Sequence, residues 1–188
     1  HNLSLNLFLL PITFFLIGIF DDKYNLNANL KLFSLGIILL IFLPNFDDFI
    51  IKEIKVSFLD KKLLLNEYGL IFTILCILLF VNATNMIDGL DGLCSIYCLV
   101  IFINIFFVFE SNLYISLISL SLFFFIYLNL KKKCFLGDGG NFFLSIIISL
   151  IFLRLYNNGS IEFSDEIYLY MSIPGLDMLR VFLIRLSR

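Results

Sequence analysis

Long apolar runs separated by short polar gaps organise the whole sequence. Seven runs stand out: Leu3–Phe20, Leu32–Phe46, Tyr68–Ile87, Leu93–Phe109, Leu113–Leu130, Asn141–Leu153 and Ile167–Leu186. A helix that crosses a bilayer needs about 20 mostly apolar residues. The pattern therefore predicts an all-α polytopic membrane protein with about seven transmembrane helices. The last run contains Pro174, Asp177 and Arg180, so we expect a kinked helix whose charges face protein rather than lipid.

The longest connection lies between the second and third runs, over residues 45–67. Ile54, Val56 and Phe58 alternate there with polar residues, which is the period of a β-strand, and residues 60–62 supply a turn. This pattern predicts a small extracytoplasmic β-hairpin.

Alternate crossing of the seven runs brings the motif-like acids to one side of the membrane. The gaps on that side hold Asp21, Asp22, Asp88, Asp91 and Asp138. The same side carries most of the lysines outside the hairpin region: Lys23, Lys31 and Lys131–Lys133. Positively charged residues concentrate in cytoplasmic loops. We therefore expect a multi-pass protein of the cell inner (cytoplasmic) membrane, with its active site facing the cytoplasm.

Composition agrees with membrane insertion. Of the 188 residues, 61% are hydrophobic and 15% are charged, whereas soluble domains are about 45–50% apolar and about 25% charged. A soluble globular domain and a disordered chain are therefore excluded. The net charge of −2 is too balanced to indicate nucleic-acid binding. The four cysteines form no CxxC pair and are interpreted as small apolar side chains.

Two acidic elements flank predicted helices. Asp21-Asp22 ends the first helix, where the negative end of the helix dipole makes a compensating cation necessary, and Lys31 is a candidate for it. Asp138 lies in the segment Phe135–Asn141, whose sequence is FLGDGGN. Such a carboxylate suits a hard cation such as Mg²⁺ that also contacts substrate phosphates. The N–H groups of Gly139, Gly140 and Asn141 are expected to be open to a phosphate.

The third element, NATNMIDGLDGL over residues 82–93, is the most specific of the three. Asn82, Asn85 and Asp88 fall near one helical face, and Gly89 and Gly92 allow the backbone to bend close to a ligand. Such polarity at the end of an apolar helix is costly without a bound partner.

Together, FDD with Lys31, NATNMIDGLDGL and FLGDGGN resemble the polyprenyl-phosphate N-acetylhexosamine-1-phosphate transferase family. Its undecaprenyl-phosphate N-acetylglucosaminyl branch is also similar in the ending IPGLDMLR, residues 173–180. The family has further helices before the acidic pair and a His-rich cytoplasmic loop after the last helix. The resemblance therefore implies that residues 1–188 are a fragment of a single transmembrane transferase domain.

The resemblance also implies site residues. The catalytic residues would be Asp21, Asp22, Asp88, Asp91 and Asp138. Substrate-binding residues would be Lys31, Asn82, Asn85, Gly89, Leu90, Asn129, Lys133 and Phe135. Mg²⁺, or Mn²⁺ in its place, would be held by Asn85 and Asp138. A homodimer is common in the family.

The implied reaction transfers a sugar 1-phosphate from a UDP-N-acetylhexosamine to undecaprenyl phosphate in the membrane lipid and releases UMP. It would be the first membrane step of cell-envelope polysaccharide synthesis. Two alternatives remain open: the related phospho-N-acetylmuramoyl-pentapeptide transferase of peptidoglycan synthesis, and, from another class, a cation-coupled transporter. Transporter sites lie near the bilayer midplane, whereas these acids gather at one interface. A purely structural subunit does not account for the polarity of residues 82–93.

Overall fold

The structure is a computed structural model. It describes the backbone of residues 2–58, 62–88, 92–109 and 112–186, and the side chains of these ranges from residue 8 onward.

Seven α-helices make up most of the described chain, which confirms the all-α prediction. Their bounds are α1 (Asn2–Tyr24), α2 (Ala28–Phe42), α3 (Gly69–Ile87), α4 (Leu93–Asn104), α5 (Leu113–Leu130), α6 (Gly137–Asn157) and α7 (Ser164–Leu186). A π-helical turn, Ile105–Phe109, continues α4. Three 3₁₀ turns lie between α2 and α3: Leu43–Asn45, Asp47–Phe49 and Asn66–Tyr68.

Five segments of the described chain are long and apolar enough to cross a bilayer: Ala28–Asn45, Asn66–Ile87, Leu113–Leu130, Gly137–Asn157 and Ser164–Leu186. A shorter apolar helical segment covers Leu93–Phe109. A chain with this many apolar helices is a multi-pass membrane protein.

Helix α6 is the centre of the bundle. Phe142, Ile146 and Leu150 pack with α1, α2 and α3 in one apolar cluster. Ile148 and Phe152 pack with α4, α5 and α7 in a second cluster. The other helices bury 72% of the α6 segment, and this burial holds the first turn of α6 in place against its neighbours.

Helix α7 differs from its prediction in one respect. It is one continuous helix that contains Pro174. The prediction that its charges face protein is wrong for Arg180, whose side chain is 66% exposed. The guanidinium instead pairs with Asp177 at 2.7 Å, because residues three apart lie on the same face of a helix.

The predicted hairpin is present but short. Strand β1 (Glu53–Ile54) pairs antiparallel with β2 (Leu63–Leu64), with Glu53 opposite Leu64. The ladder stops at Lys55 because its backbone N–H donates to the Tyr156 hydroxyl at 2.8 Å and its carbonyl accepts from Ser164. The hairpin is thereby tied to the end of α6 and the start of α7. Most of the predicted turn lies outside the described residues.

Candidate active site

Polar residues from four helices meet at the end of the bundle opposite the hairpin. The last turn of α1, the first turn of α2, the last turn of α3 and the first turn of α6 contribute to this cluster. Helix α2 begins at Ala28, where the Asn27 side chain accepts a hydrogen bond from the N–H of Asn29. Lys31 therefore lies within the first turn of α2.

Lys31 joins two distant parts of the chain. Its ammonium forms an ion pair with Asp21 on α1 and another, at 2.6 Å, with Oδ2 of Asp138 on α6. Asp21 is buried, with 4% of its side chain exposed, and its Oδ1 also accepts the N–H of Leu26 at 2.8 Å. One positive charge is thus shared by two carboxylates, which leaves the group net negative.

Asp22 caps a helix other than its own. Its Oδ1 accepts the backbone N–H of Asp138 at 2.9 Å, and its Oδ2 accepts that of Gly139 at 3.2 Å. A carboxylate is favourable at the positive N-terminus of a helix. The expectation that these N–H groups are open to a phosphate is therefore wrong for Gly139, and the Gly140 N–H donates to the Leu136 carbonyl at 3.3 Å.

Glycines let α1 and α6 approach closely enough for this cap. A Cβ on Gly18 would lie 2.5 Å from the backbone nitrogen of Gly139. Gly137 has φ +66°, a left-handed conformation that favours glycine, and a Cβ there would lie 2.6 Å from Oδ2 of Asp22. The close contact between α1 and α6 therefore requires glycine at Gly18, and the cap by Asp22 requires glycine at Gly137.

Asp88 adds a fourth carboxylate next to the end of α3. Burial, together with the negative charges of Asp138 and Asp22, raises its pKa to about 7. In the part of the chain that the structure describes, the ammonium of Lys31 pairs with Asp21 and Asp138, and Asp88 is close enough to Asp138 and Asp22 for their charges to act on it. Four carboxyl groups therefore share this region with the ammonium of Lys31. This excess of negative charge favours binding of a cation.

A buried polar chain connects α3 to α6 below these acids. Oγ1 of Thr84 lies 2.6 Å from Oγ of Ser145, which donates to Oδ1 of Asn141 at 3.2 Å. Nδ2 of Asn141 donates to Oδ1 of Asn85 at 3.1 Å. The thiol of Cys94 on α4 also donates to Oδ1 of Asn141, at 3.4 Å. These contacts fix Asn85 beside the first turns of α6.

Asn129 lies at the end of α5, where α4 begins. Only 5% of its surface is exposed. Its Nδ2 donates to the Cys134 carbonyl at 2.9 Å, and its Oδ1 has no hydrogen-bond partner among the described residues. That oxygen lies 3.4 Å from where a Cβ on Gly92 would be, and Gly92 has φ +80°. Phe135 is 79% exposed, so its ring is free to contact a ligand.

Some predicted residues do not join the cluster in the structure. Asn82 faces α7, where its Nδ2 donates to the sulfur of Met178 at 3.8 Å. Lys133 has an exposed side chain, and the ammonium of Lys131 donates to the Tyr127 hydroxyl on its own helix. The predicted residues Gly89, Leu90 and Asp91 lie outside the described residues.

Sequence reasoning missed the side chains of Asn141 and Ser145 and the role of Gly18. A signal was present for the first two, since polar residues four apart in an otherwise apolar run fall on one helical face and indicate a buried polar contact. Gly18 gave no such signal, because a glycine in an apolar helix does not reveal which backbone it touches.

Comparison with known proteins identifies the family. A sequence profile for glycosyl transferase family 4 matches residues 4–156. The chain belongs to glycosyl transferase family 4. The family assignment confirms the resemblance derived from FDD, NATNMIDGLDGL and FLGDGGN.

Individual relatives carry more specific names. The chain is 34% identical over 152 residues to the probable undecaprenyl-phosphate N-acetylglucosaminyl 1-phosphate transferase of Bacillus subtilis (strain 168), covering 76% of this chain and 41% of the relative. It is 24% identical over 187 residues to the undecaprenyl-phosphate alpha-N-acetylglucosaminyl 1-phosphate transferase of Escherichia coli (strain K12), covering 92% of this chain and 50% of the relative. The chain thus spans about half or less of the curated relatives' length.

Proposed function

We propose that the complete protein containing this chain transfers N-acetylglucosamine 1-phosphate, or a related N-acetylhexosamine 1-phosphate, from a UDP-sugar to undecaprenyl phosphate. UMP is released, and the product serves cell-envelope polysaccharide synthesis. The observation that carries the proposal is the cluster at one end of an apolar bundle in which Lys31 pairs with Asp21 and Asp138, with Asp22 and Asp88 close to Asp138. Family membership and the printed names of the relatives support it.

The donor atoms of the site fit a magnesium ion. Mg²⁺ prefers oxygen ligands and is usually held by one or two carboxylates together with substrate phosphates. No group of three or more His, Cys, Asp or Glu side chains that could hold a metal is found among the described residues. Asp138 and the side-chain oxygen of Asn85 would hold it, and Mn²⁺ could take its place. When bound, it would neutralise negative charge on the diphosphate.

The residues of this chain would act by positioning and charge compensation. An oxygen of the lipid phosphate attacks the phosphorus that carries the sugar, the bond from that phosphorus to the UMP oxygen breaks, and UMP leaves with the electron pair. Lys31 would stabilise anionic oxygens at this point, since its ammonium is already held between α1, α2 and α6. Asp21 would orient Lys31, and Asp22 would hold the first turn of α6.

Nucleotide and lipid would reach the site from the cytoplasmic face. Lys23, Lys31 and Lys131–Lys133 lie at the same end of the bundle as the carboxylates, and this bias supports a cytoplasmic orientation in the inner membrane. The hairpin would then face the outside. Asn129, Phe135 and the segment 88–91 are the candidates for contacts with the nucleotide. Residues 1–188 would form part of one transferase domain.

A lipid-labelling assay tests the proposal. Membranes containing the complete gene product are incubated with undecaprenyl phosphate, Mg²⁺ and UDP-N-acetylglucosamine labelled in the sugar. We expect label in the lipid extract, an equal amount of released UMP, and loss of both on chelation of Mg²⁺. UDP-N-acetylmuramoyl-pentapeptide is tested in parallel, and labelling from it alone would assign the protein to the pentapeptide branch. Absence of labelling from every UDP-N-acetylhexosamine, with well-expressed protein, would refute the proposal.

A further inference from the structure

We propose that Asn141 is a positioning residue that fixes the orientation of the Asn85 carboxamide, with the Asn85 oxygen held against α6. The inference rests on the proposed function, because Asn85 matters there as a ligand. Asn141 has no exposed surface. Asn141 lies one helical turn after Asp138 on α6, and it acts on the site through its hydrogen bond to Asn85.

In the structure, the Asn141 side chain is oriented with its oxygen toward Ser145 and Cys94 and its nitrogen toward Asn85. A carboxamide has one accepting atom, the oxygen, and one donating atom, the nitrogen. The Ser145 hydroxyl, at 3.2 Å, and the Cys94 thiol, at 3.4 Å, both donate to the Asn141 oxygen. The Asn141 nitrogen is therefore left facing α3.

The orientation of Asn85 follows in turn. The Asn141 nitrogen can only donate, so the atom of Asn85 that faces it has to be the oxygen, and the two lie 3.1 Å apart. A flipped Asn85 would place two N–H groups against each other and leave the buried Asn141 N–H without an acceptor.

Thr84 and Ser145 close the arrangement. Thr84 precedes Asn85 on α3, and its hydroxyl oxygen lies 2.6 Å from that of Ser145, which is one turn after Asn141 on α6. Two polar contacts therefore tie α3 to α6, one at Thr84 and one at Asn85. The side chains of Thr84, Ser145 and Asn141 are all fully or almost fully buried, so water does not compete for these contacts.

This geometry matters for cation binding because only the oxygen of a carboxamide ligates Mg²⁺. The side-chain oxygen of Asn85 has two lone pairs, and one of them accepts the hydrogen bond from the Asn141 nitrogen. Asn85 and Asp138 then present oxygen ligands that are both fixed relative to α6. Loss of a hydrogen-bond partner that orients a ligand typically lowers metal affinity about 10–100-fold.

The test measures Mg²⁺ binding without turnover. The complete gene product is purified in detergent with saturating UDP-N-acetylglucosamine, and the Mg²⁺ concentration that gives half of the maximal thermal stabilisation is determined. The variants are Asn141→Leu, which removes both hydrogen-bonding functions at similar volume, Asn85→Ala, and the double variant. Asn141→Ser, smaller and still polar, replaces the leucine variant if that one does not fold. Ser149→Ala is the matched control, because Ser149 is a buried polar residue of α6 whose hydroxyl donates to the Ser145 carbonyl of its own helix.

We expect each single variant to raise the half-stabilising Mg²⁺ concentration at least about tenfold. The double variant should need no more Mg²⁺ than Asn85→Ala, because Asn141 acts through Asn85, and Ser149→Ala should match wild type. An unchanged Mg²⁺ requirement in the Asn141 variant, or effects that multiply in the double variant, would overturn the inference alone. If wild type shows no Mg²⁺-dependent stabilisation, the proposed function fails as well.

Discussion

The carboxylate of Asp22, at the end of α1, accepts the backbone N–H of Asp138, in the first turn of α6, at 2.9 Å. The two residues are 116 positions apart in the sequence. The relationship links the acidic pair to the GDGG segment through a helix cap rather than through a ligand. It gives Asp22 a structural task that differs from that of its neighbour Asp21, which pairs with Lys31.

Replacing Asp22 tests the cap directly. Asp22→Ala removes the acceptors for two N–H groups, and loss of a helix cap costs about 0.5–2 kcal/mol. In a chain of this size that lowers Tm by about 1–8 °C, measured by thermal denaturation of the purified protein in detergent. Asp22→Asn retains one oxygen acceptor and should lie between wild type and the alanine variant. An alanine variant with unchanged Tm but no activity would show that Asp22 acts on substrate instead.

The contact between Gly18 and Gly139 offers a second test with a matched control. Gly18→Ala places a Cβ 2.5 Å from the Gly139 nitrogen, so α1 has to move away from α6 and take Asp22 with it. We expect lower Tm and at least tenfold lower transfer activity. Gly36→Ala on α2 meets only the Leu78 side chain, at 3.6 Å, and should be neutral or slightly stabilising, because alanine favours a helix over glycine by about 0.5–1 kcal/mol. Equal behaviour of the two variants would contradict the packing described.

Lys31 is expected to be essential for both stability and activity. Lys31→Gln leaves Asp21 and Asp138 without their shared positive charge. Breaking a fully buried ion pair costs about 3–5 kcal/mol, and the partial exposure of Lys31 reduces this to about 1–3 kcal/mol. The same substitution at Lys131, an exposed lysine at the same end of the bundle, is the control. Tm and lipid labelling should fall only for Lys31→Gln, and comparable losses in the control would argue against a specific role.

The raised pKa of Asp88 leads us to expect an unusual dependence of protein stability on pH. Its pKa in the folded protein is raised to about 7, so the folded state binds a proton more tightly than the unfolded state does. The stability that this proton contributes is present below about pH 4 and is lost as the pH rises to about 7.

Asp88→Asn removes this dependence. Solvent screens the half-buried side chain, so we expect a gain of about 1 kcal/mol at pH 8, or about 2–4 °C in Tm, and none at pH 4. Activity should nevertheless fall. The negative charge of Asp88 repels the neighbouring carboxylates in the free protein, and a site retains such a destabilising charge because it is needed for function. A lower Tm for the asparagine variant at pH 8 would show that Asp88 is stabilising.

Much of this molecule could be predicted from hydropathy alone. Each of the seven apolar runs is a helix, because a lipid environment leaves few other ways to satisfy the backbone. The ends were less predictable. Helix α6 begins at Gly137 rather than at Asn141. Its start could not be predicted from the local sequence, because the capping side chain is Asp22 on another helix.

The candidate site, like the fold, could be predicted from the sequence only in part. The positions of polar residues at the ends of apolar runs pointed to Asp21, Lys31, Asn85 and Asp138. The structure brings Lys31 into contact with Asp21 and Asp138 and places Asn85 against Asn141, one turn after Asp138 on α6. Pairings across the bundle could not be read from spacing, because they depend on how helices pack. Asn82 was expected near the same helical face as Asn85, yet it contacts Met178 on α7.

Replacing Asp138 tests whether this cluster is a cation-dependent sugar-phosphate transfer site. UMP release and lipid labelling from UDP-N-acetylglucosamine are measured over a series of Mg²⁺ concentrations for Asp138→Asn and for Asp47→Asn, an exposed acid at the opposite end of the bundle. We expect a loss of at least about 100-fold for Asp138→Asn and wild-type activity for Asp47→Asn. An Asp138→Asn protein that transfers sugar phosphate at the wild-type rate and Mg²⁺ requirement would show that the cluster is not this site.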